Sequence, residues 1–380
     1  MAVKPCIALI LSSLEIGGTQ RVMVHLAEGL IKKGYAVDVV TVKASGPFLK
    51  MLPIEATLVD LGAKRALFAI PALVRYLRKN HPDAILSGLT HINIAAIIAR
   101  FLSGMSIRLV VSERNNLTQK KIHSAKIWDR FLYAIVNFFY PFADAVVAVS
   151  LDVADDLARN ANLDPKKITP IYNPIPVDKV RASSKKEINH PWFSSNGVPV
   201  ILAVGRFHKQ KDYPTLIYAF NLLRSRKPAR LMILGEGKER PVIESMIHDS
   251  PYSDDICLMG NIDNPFPYMA NADVFVLSSA WEGFGMVLVE ALACGATIVS
   301  TDCHSGPSEI LENGKYGVLV PVGDPQAMAD AIELSLDHPF PQEQSTARAR
   351  DFSVERSAVQ YLRVLFPENI IEREDPYNNG

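Results

Sequence analysis

From the amino terminus to about residue 350, short apolar runs alternate with longer stretches whose apolar positions recur every three or four residues. The short runs lack polar alternation, as strands buried on both faces do, and the longer stretches have helical spacing. Strands are expected over residues 7–11, 37–42, 84–87, 109–112, 145–149 and 168–171, with helices between them, for instance over 20–33 and 70–79. A second series begins at 200–204 and continues at 230–234, 256–258, 274–277, 298–300 and 318–320. Strands alternating with helices predict βαβ units and hence an α/β chain with parallel sheets. The turn-rich segment 173–177, followed by the polar runs 183–187 and 194–197, reads as the linker between two doubly wound halves that face each other across a hinge. The expected organisation is residues 1–175, residues 176–350, and a C-terminal helix with a flexible tail over 351–380, the part after Phe366 being too polar to assign.

The most membrane-like stretch, 131–150, is interrupted by Asn137, Pro141 and Asp144, so it reads as the end of a helix, a turn and a short strand. The apolar run after Lys4 and Pro5 is too short for a secretory leader. A soluble or peripheral protein is expected. Formal charge cancels over the 380 residues, but residues 1–175 hold roughly 21 basic against 13 acidic side chains. The amino-terminal half therefore prefers an anionic partner. Cys6, Cys257, Cys294 and Cys303 are scattered, without Cys-x-x-Cys or histidines at ligand spacing, so neither a zinc site nor a disulfide framework is indicated and a reducing cytoplasm fits. No helix-turn-helix, zinc module or aromatic-basic ladder supports nucleic-acid binding.

The strongest chemical signal is Glu282-Gly-Phe-Gly-Met-Val-Leu-Val-Glu290. The strand before it places Glu282 at a carboxyl strand end, where open α/β sheets bind ligands. Gly283 and Gly285 leave backbone N–H groups bare for phosphate or sugar hydroxyls at the start of the next helix. At 3.6 residues per turn, Glu290 is expected about two turns on and on roughly the same face as Glu282. An acid inside Val-Leu-Val-Glu-Ala-Leu-Ala is costly to bury without a partner, which favours function over a surface glutamate. The second half opens with Gly205-Arg206-Phe-His208-Lys209-Gln-Lys211, a strand running into a cation cluster suited to a diphosphate leaving group. Lys209 reads as solvated; Arg206 and Lys211 read as functional. Ser305 and Ser308 read as helix caps, with Glu309 free to face the cleft. In the first half, Gly17-Gly18-Thr19-Gln20 at a strand-to-helix turn forms a phosphate-approach loop, although it is neither a dinucleotide fingerprint nor a P-loop. His91, and Ser112-Glu113-Arg114-Asn115-Asn116, follow strand ends and so belong near a cleft.

Taken together, Gly17-Gly18-Thr19-Gln20-Arg21, Tyr172-Asn173-Pro174, Gly205-Arg206 with Lys211, the pair Glu282 and Glu290, and Pro321-Val-Gly-Asp324-Pro325 resemble a retaining glycosyltransferase of the family 4 type. The likeness runs over roughly residues 5–350. It implies GT-B architecture, two Rossmann-like domains facing a cleft, the first taking the acceptor and the second the nucleotide-sugar. It further implies that Arg206 and Lys211 hold the donor diphosphate, with Gly205 beside them and Gly18 approaching from the other domain. Glu290 would bind ribose hydroxyls, and Glu282 with the backbone of Phe284, Gly285 and Met286 would contact the donor sugar. No metal and no cofactor are implied beyond the co-substrate, a UDP-linked sugar. Where many members carry a histidine after the fifth strand this chain has Arg114, a departure similar to the bacterial branch that builds surface polysaccharides and lipid-linked glycans. Arg114, Asn115 and His91 are thus assigned to acceptor or donor contacts without a fixed role.

The implied activity is transfer of a hexose or N-acetylhexosamine to a lipid-linked or lipopolysaccharide-type acceptor with an α-linkage. It would take place at the cytoplasmic face of the inner membrane. Residues 120–133 mix Lys120, Lys121, Lys126 and Arg130 with Trp128, Phe131 and Tyr133, a pattern that fits either a helix lying on an anionic membrane or a core-facing helix with a solvated basic face. Two other readings compete: a nucleotide-sugar epimerase or hydrolase on the same fold, and a catalytically silent sugar-nucleotide-binding scaffold. Turnover of a UDP-sugar without acceptor separates the epimerase, and the intact Arg206, Lys211, Glu282 and Glu290 set argues against the scaffold.

Overall fold

The computed structural model describes residues 4–123, 131–161, 163–194 and 197–368. The chain divides into two compact units, residues 1–174 with 354–380, and residues 175–353. Unit 1 holds seven parallel strands: β1 (Cys6–Leu11), β2 (Ala36–Thr41), β3 (Thr57–Asp60), β4 (Ala84–Gly88), β5 (Arg108–Glu113), β6 (Ala145–Ala148) and β7 (Ile168–Pro170), in the order β3-β2-β1-β4-β5-β6-β7. Unit 2 holds six: β8 (Val200–Val204), β9 (Arg230–Leu234), β10 (Ile256–Gly260), β11 (Val274–Leu277), β12 (Ile298–Thr301) and β13 (Val318–Val320), in the order β10-β9-β8-β11-β12-β13. All pairings are parallel, so the connections cross over, nearly all of them through an α-helix and the one from β2 to β3 through a short 3-10 segment, Pro47–Met51. That is why Ile7 to Leu11 and Val274 to Leu277 are buried at every position rather than at alternate ones.

Each sheet turns its strand order back at one place, between β1 and β4 in unit 1 and between β8 and β11 in unit 2. The strand predicted by none of the apolar runs is β3, at the edge of the first sheet, where three of its four residues are exposed. The segment expected to be linker contains instead the helix Val177–Ser184, which packs in unit 2 against the helices Phe266–Asn271 and Met286–Cys294. Its buried Val177 and Val180, one turn apart, carried a helical signal that the surrounding Pro, Ser and Lys residues masked.

The helix Val354–Leu365 returns from unit 2 to complete unit 1. Ala358, Tyr361 and Leu365 are fully buried in the same core as Leu9, Leu11 and Leu26. Gly29, in the interior of the helix Gly18–Lys32, makes this contact feasible: a Cβ there would lie 2.8 Å from Val354 Cγ1 and 3.0 Å from Ala358 Cβ. Glycine at such a site costs up to about 1 kcal/mol of helix propensity, which close helix packing offsets. No helix among the described residues is long and apolar enough to cross a membrane. The centre of the basic-aromatic stretch over 120–133, including Lys126, Trp128 and Arg130, lies outside the described residues.

Candidate functional site

In unit 2, two loops meet at the carboxyl edge beside the β8/β11 reversal, where open α/β sheets take their ligands. One runs from Gly205 to Asp212 after β8, the other from Ser278 to Gly285 after β11. Lys211 Nζ approaches Glu282 Oε1 to 2.6 Å, with the two side chains only 17% and 9% exposed. Ser279 Oγ donates to the same carboxylate oxygen at 2.7 Å. The backbones are tied as well: the Ala280 N–H donates to the Gln210 carbonyl at 2.8 Å, Ser278 Oγ to the Lys211 carbonyl at 2.7 Å, and Gln210 Nε2 to the Trp281 carbonyl at 2.9 Å. An ion pair so enclosed is held by low-dielectric attraction, and removing either partner strands the other charge.

Glycines let further loops close on this pair. Gly235 and Gly237 follow β9 with φ of +155° and +157°, and a Cβ on either would collide with the carbonyl oxygens of Gly205 and Phe207. Two bonds running in one direction join the backbones here: Gly205 N–H donates to the Leu234 carbonyl at 3.0 Å and Phe207 N–H to the Glu236 carbonyl at 2.8 Å. The two glycines were absent from the sequence candidates, although a strand followed by Gly-Glu-Gly was a legible signal. Ser279 and Gln210 carried no such signal, since their role depends on two loops meeting. Gly285, with φ of +92°, caps the helix Met286–Cys294, and Phe284 beneath it is 2% exposed. Arg206 is exposed and makes no hydrogen bond or ion pair among the described residues.

Two expectations are corrected. Glu282 and Glu290 do not share a helix face, because the helix starts only at Met286; Glu282 stands in the preceding loop and Glu290 is buried one turn in. The Gly-Phe-Gly stretch ends the continuity on which the 3.6-residue period relies. Nor do Ser305 and Ser308 cap a helix: the short helix Pro307–Ile310 has Gly306 at its N-cap and no side-chain cap. Ser305 adopts φ of +71°, in a turn that lets the His304 carbonyl accept from the Glu282 N–H at 3.1 Å.

In unit 1, Gly18 begins a helix whose N-cap is Gly17 and whose first turn has neither a side-chain cap nor an acidic residue. β5 ends in Glu113, fully buried, whose Oε2 accepts from Thr90 Oγ1 at 3.0 Å and Tyr140 OH at 2.7 Å. Its Oε1 accepts the Arg114 N–H at 3.0 Å. Asn93 Nδ2 joins Tyr140 OH, at 2.8 Å, to the Ser112 carbonyl, at 3.0 Å. Arg114 is buried, with Nη1 donating to Asn173 Oδ1 at 2.7 Å and Nη2 to Tyr361 OH at 3.3 Å. Asn115 beside it is exposed. His91 stands in the first turn of the helix Thr90–Ser103, its pKa held below the ordinary imidazole value by desolvation first and by the Lys120 charge second. Burial pushes the Cys294 thiol up to about 12, with Glu290 adding to it, so that thiol is no nucleophile. Among the described residues, no three His, Cys, Asp or Glu side chains come together as a metal cluster.

With this geometry in hand, comparison with known proteins is informative over nearly the whole chain. Residues 16–179 match the model for Glycosyltransferase Family 4, and residues 184–352 the model for Glycosyl transferases group 1. One curated relative, from Campylobacter jejuni, is 29% identical over 71% of this chain and 73% of its own length. It is N-acetylgalactosamine-N,N'-diacetylbacillosaminyl-diphospho-undecaprenol 4-alpha-N-acetylgalactosaminyltransferase. Among solved structures, a glycosyltransferase from Rickettsia africae superposes with a TM-score of 0.80 at 18% identity, covering 98% of this chain and 100% of that one. HepE from Anabaena, in complex with UDP, gives 0.77 at 19% identity over 95% of this chain and 99% of its own.

Proposed function

Because this chain belongs to the glycosyltransferases of family 4 type, with two parallel-sheet domains of the GT-B fold, we propose that its donor is a UDP-linked hexose or N-acetylhexosamine and its acceptor lipid-linked. The transfer keeps the donor's anomeric configuration, forms an α-linkage and needs no metal ion. The observation that carries this reading is the Lys211–Glu282 pair at the β8/β11 reversal, with exposed Arg206 beside it and glycine-lined loops around it. The lipid-diphosphate acceptor of the Campylobacter relative and the UDP bound by HepE favour the same assignment of substrates.

In this reading the acceptor hydroxyl attacks the anomeric carbon on the face from which the diphosphate departs. The C1–O bond to phosphate breaks, the departing phosphate oxygen takes the hydroxyl proton, and UDP leaves. Arg206 and Lys211 stabilise charge that grows on the diphosphate, which is where positioned cations contribute most. Glu282 contacts the sugar and Glu290 the ribose diol. The enzyme works at the membrane surface from the cytoplasmic side, where its acceptor is anchored.

The test compares two carboxylates. Glu282→Ala abolishes transfer while largely sparing UDP affinity, whereas Glu290→Ala weakens UDP first; equal loss of affinity in both overturns the assignment. Thermal protection screened across UDP- and GDP-sugars identifies the nucleotide, since a bound ligand raises stability with the logarithm of its saturation. EDTA leaves the rate unchanged, and full inhibition reversed by manganese contradicts neutralisation by Arg206 and Lys211. Flotation occurs with anionic liposomes, not neutral ones, and is lost at high salt.

A further inference from the structure

Unit 1 contains a buried cation that forms no ion pair among the described residues. Arg114 is 7% exposed and sits just beyond β5. Of the five guanidinium N–H groups, one donates to Asn173 Oδ1 and one to Tyr361 OH, both uncharged acceptors. Nε has no acceptor. Among the described residues Arg114 forms no ion pair, and the adjacent carboxylate of Glu113 is occupied by Thr90, Tyr140 and the Arg114 N–H. A buried guanidinium with an unpaired N–H and no direct ion pair is costly to a fold, and an anionic ligand reaching that N–H would offset the cost.

The surroundings favour that anion. Gly88 ends β4, beside the place where the strand order of the first sheet reverses. The position a Cβ would take on Gly88 is 3.4 Å from Arg114 Nε, 3.3 Å from Thr19 Cγ2 and 2.7 Å from Met23 Cε. Thr19 belongs to the first turn of the helix Gly18–Lys32, the turn that has no side-chain cap and no acid. The guanidinium with its unpaired Nε and side chains from the start of the Gly18–Lys32 helix therefore lie against one glycine at a ligand-binding edge, close to the uncapped, positive end of that helix.

We propose that Arg114 is a preset receptor for a diphosphate oxygen, and that Asn173 and Tyr361 are positioning residues that fix the plane of its guanidinium. Tyr361 does so from the returning C-terminal helix, which then supports ligand binding as well as the core. The inference rests on the glycosyl-transfer reading, which supplies two sources of diphosphate, the nucleotide of the donor and the lipid diphosphate of the acceptor.

The decisive variant is Asn173→Asp, which places a carboxylate where Arg114 Nη1 now meets an amide. An internal counter-ion satisfies the fold and competes with the ligand, so thermal stability without ligand holds or rises while diphosphate affinity falls about 10- to 100-fold. Calorimetric titration of the full-length protein with UDP and, separately, with farnesyl diphosphate reads the effect. Arg114→Gln lowers affinity for the same probe by a similar factor. Tyr361→Phe, which removes only a hydroxyl, weakens it several-fold and raises KM for the matching substrate more than it lowers kcat. Loss confined to UDP assigns the receptor to the donor, and loss confined to farnesyl diphosphate assigns it to the acceptor. Wild-type protein that binds a probe which Asn173→Asp and Arg114→Gln bind equally well overturns the receptor alone. Wild-type protein that binds neither probe overturns the glycosyl-transfer reading with it.

Discussion

Each of the two sheets reverses its strand order at an equivalent place and carries a largely buried cation at its own strand ends, one with an ion-pair partner and one without. In unit 2 the cation beside the β8/β11 reversal, Lys211, already has its counter-ion in Glu282, and Ser279 supports the pair. In unit 1 the guanidinium of the cation beyond β5, Arg114, donates only to an amide and a phenol among the described residues. A compensated site is stable without ligand, and binding there requires exchange of one anionic partner for another. An uncompensated site is held in place by its scaffold and gains a partner on binding. On the proposed chemistry, pairing within unit 2 would serve a charge that appears during the reaction, while the cation of unit 1 would suit a charge that the substrate brings with it.

The strongest way to break the contrast is at Lys211. Lys211→Ala and Arg206→Ala both lower kcat by about two orders of magnitude or more, since each removes charge that counts most as the diphosphate leaves. They part in stability. Lys211→Ala strands the buried Glu282 and costs about 3 kcal/mol in denaturant unfolding, while exposed Arg206→Ala changes it little. The double replacement Lys211→Met with Glu282→Leu recovers most of that stability and none of the rate, which is the signature of a charge pair kept for chemistry. Next, Gly235→Ala tests whether the loop crossing supports the pair. Its Cβ meets the Gly205 carbonyl at a φ foreign to alanine, so unfolding free energy falls by about 2–4 kcal/mol, measurable as a shift in the urea midpoint. Tyr140→Phe leaves Glu113 and Asn93 each short of one partner and costs about 1–2 kcal/mol in the same assay.

The smallest effect concerns acid. His91 has a folded pKa below the ordinary imidazole value, so the unfolded chain takes the proton first. Its contribution is therefore whole above the ordinary imidazole range and declines as pH falls through that range towards the folded value. His91→Gln makes the acid limb of thermal stability slightly shallower and leaves the limb above neutrality alone.

The alternation of apolar runs made twelve of the thirteen strands among the described residues legible, because most are parallel strands buried on both faces, which leave an unbroken apolar imprint. β3 left none, being an exposed edge. The helix Val177–Ser184 was hidden because only Val177 and Val180 face inward. In the site, glycines, glutamates and cations after strands were readable as types, but their partners were not. That Lys211 meets Glu282, 71 residues away, follows from β8 lying beside β11, and sequence spacing holds no trace of that neighbourhood. The period argument joining Glu282 to Glu290 failed for a related reason: it assumed one helix where a left-handed glycine interposes a turn. Arg114 was noticed as a departure from a family pattern, whereas its partner Tyr361, 247 residues on, was invisible until the last helix was seen to return.

That return bears on how the protein is made. While the ribosome is still translating residues 175–353, the core around Leu9, Leu11 and Leu26 lacks Ala358, Tyr361 and Leu365. Unit 2 is contiguous and has all its strands as soon as it emerges. The later-synthesised unit thus finishes first, and the earlier one waits with an apolar seam along the Gly18–Lys32 helix uncovered. At about 5–20 residues per second that interval lasts on the order of ten seconds or more. A chain stopped near residue 353 would keep the seam open permanently, making the helix Val354–Leu365 the step that closes the first core over the nascent chain.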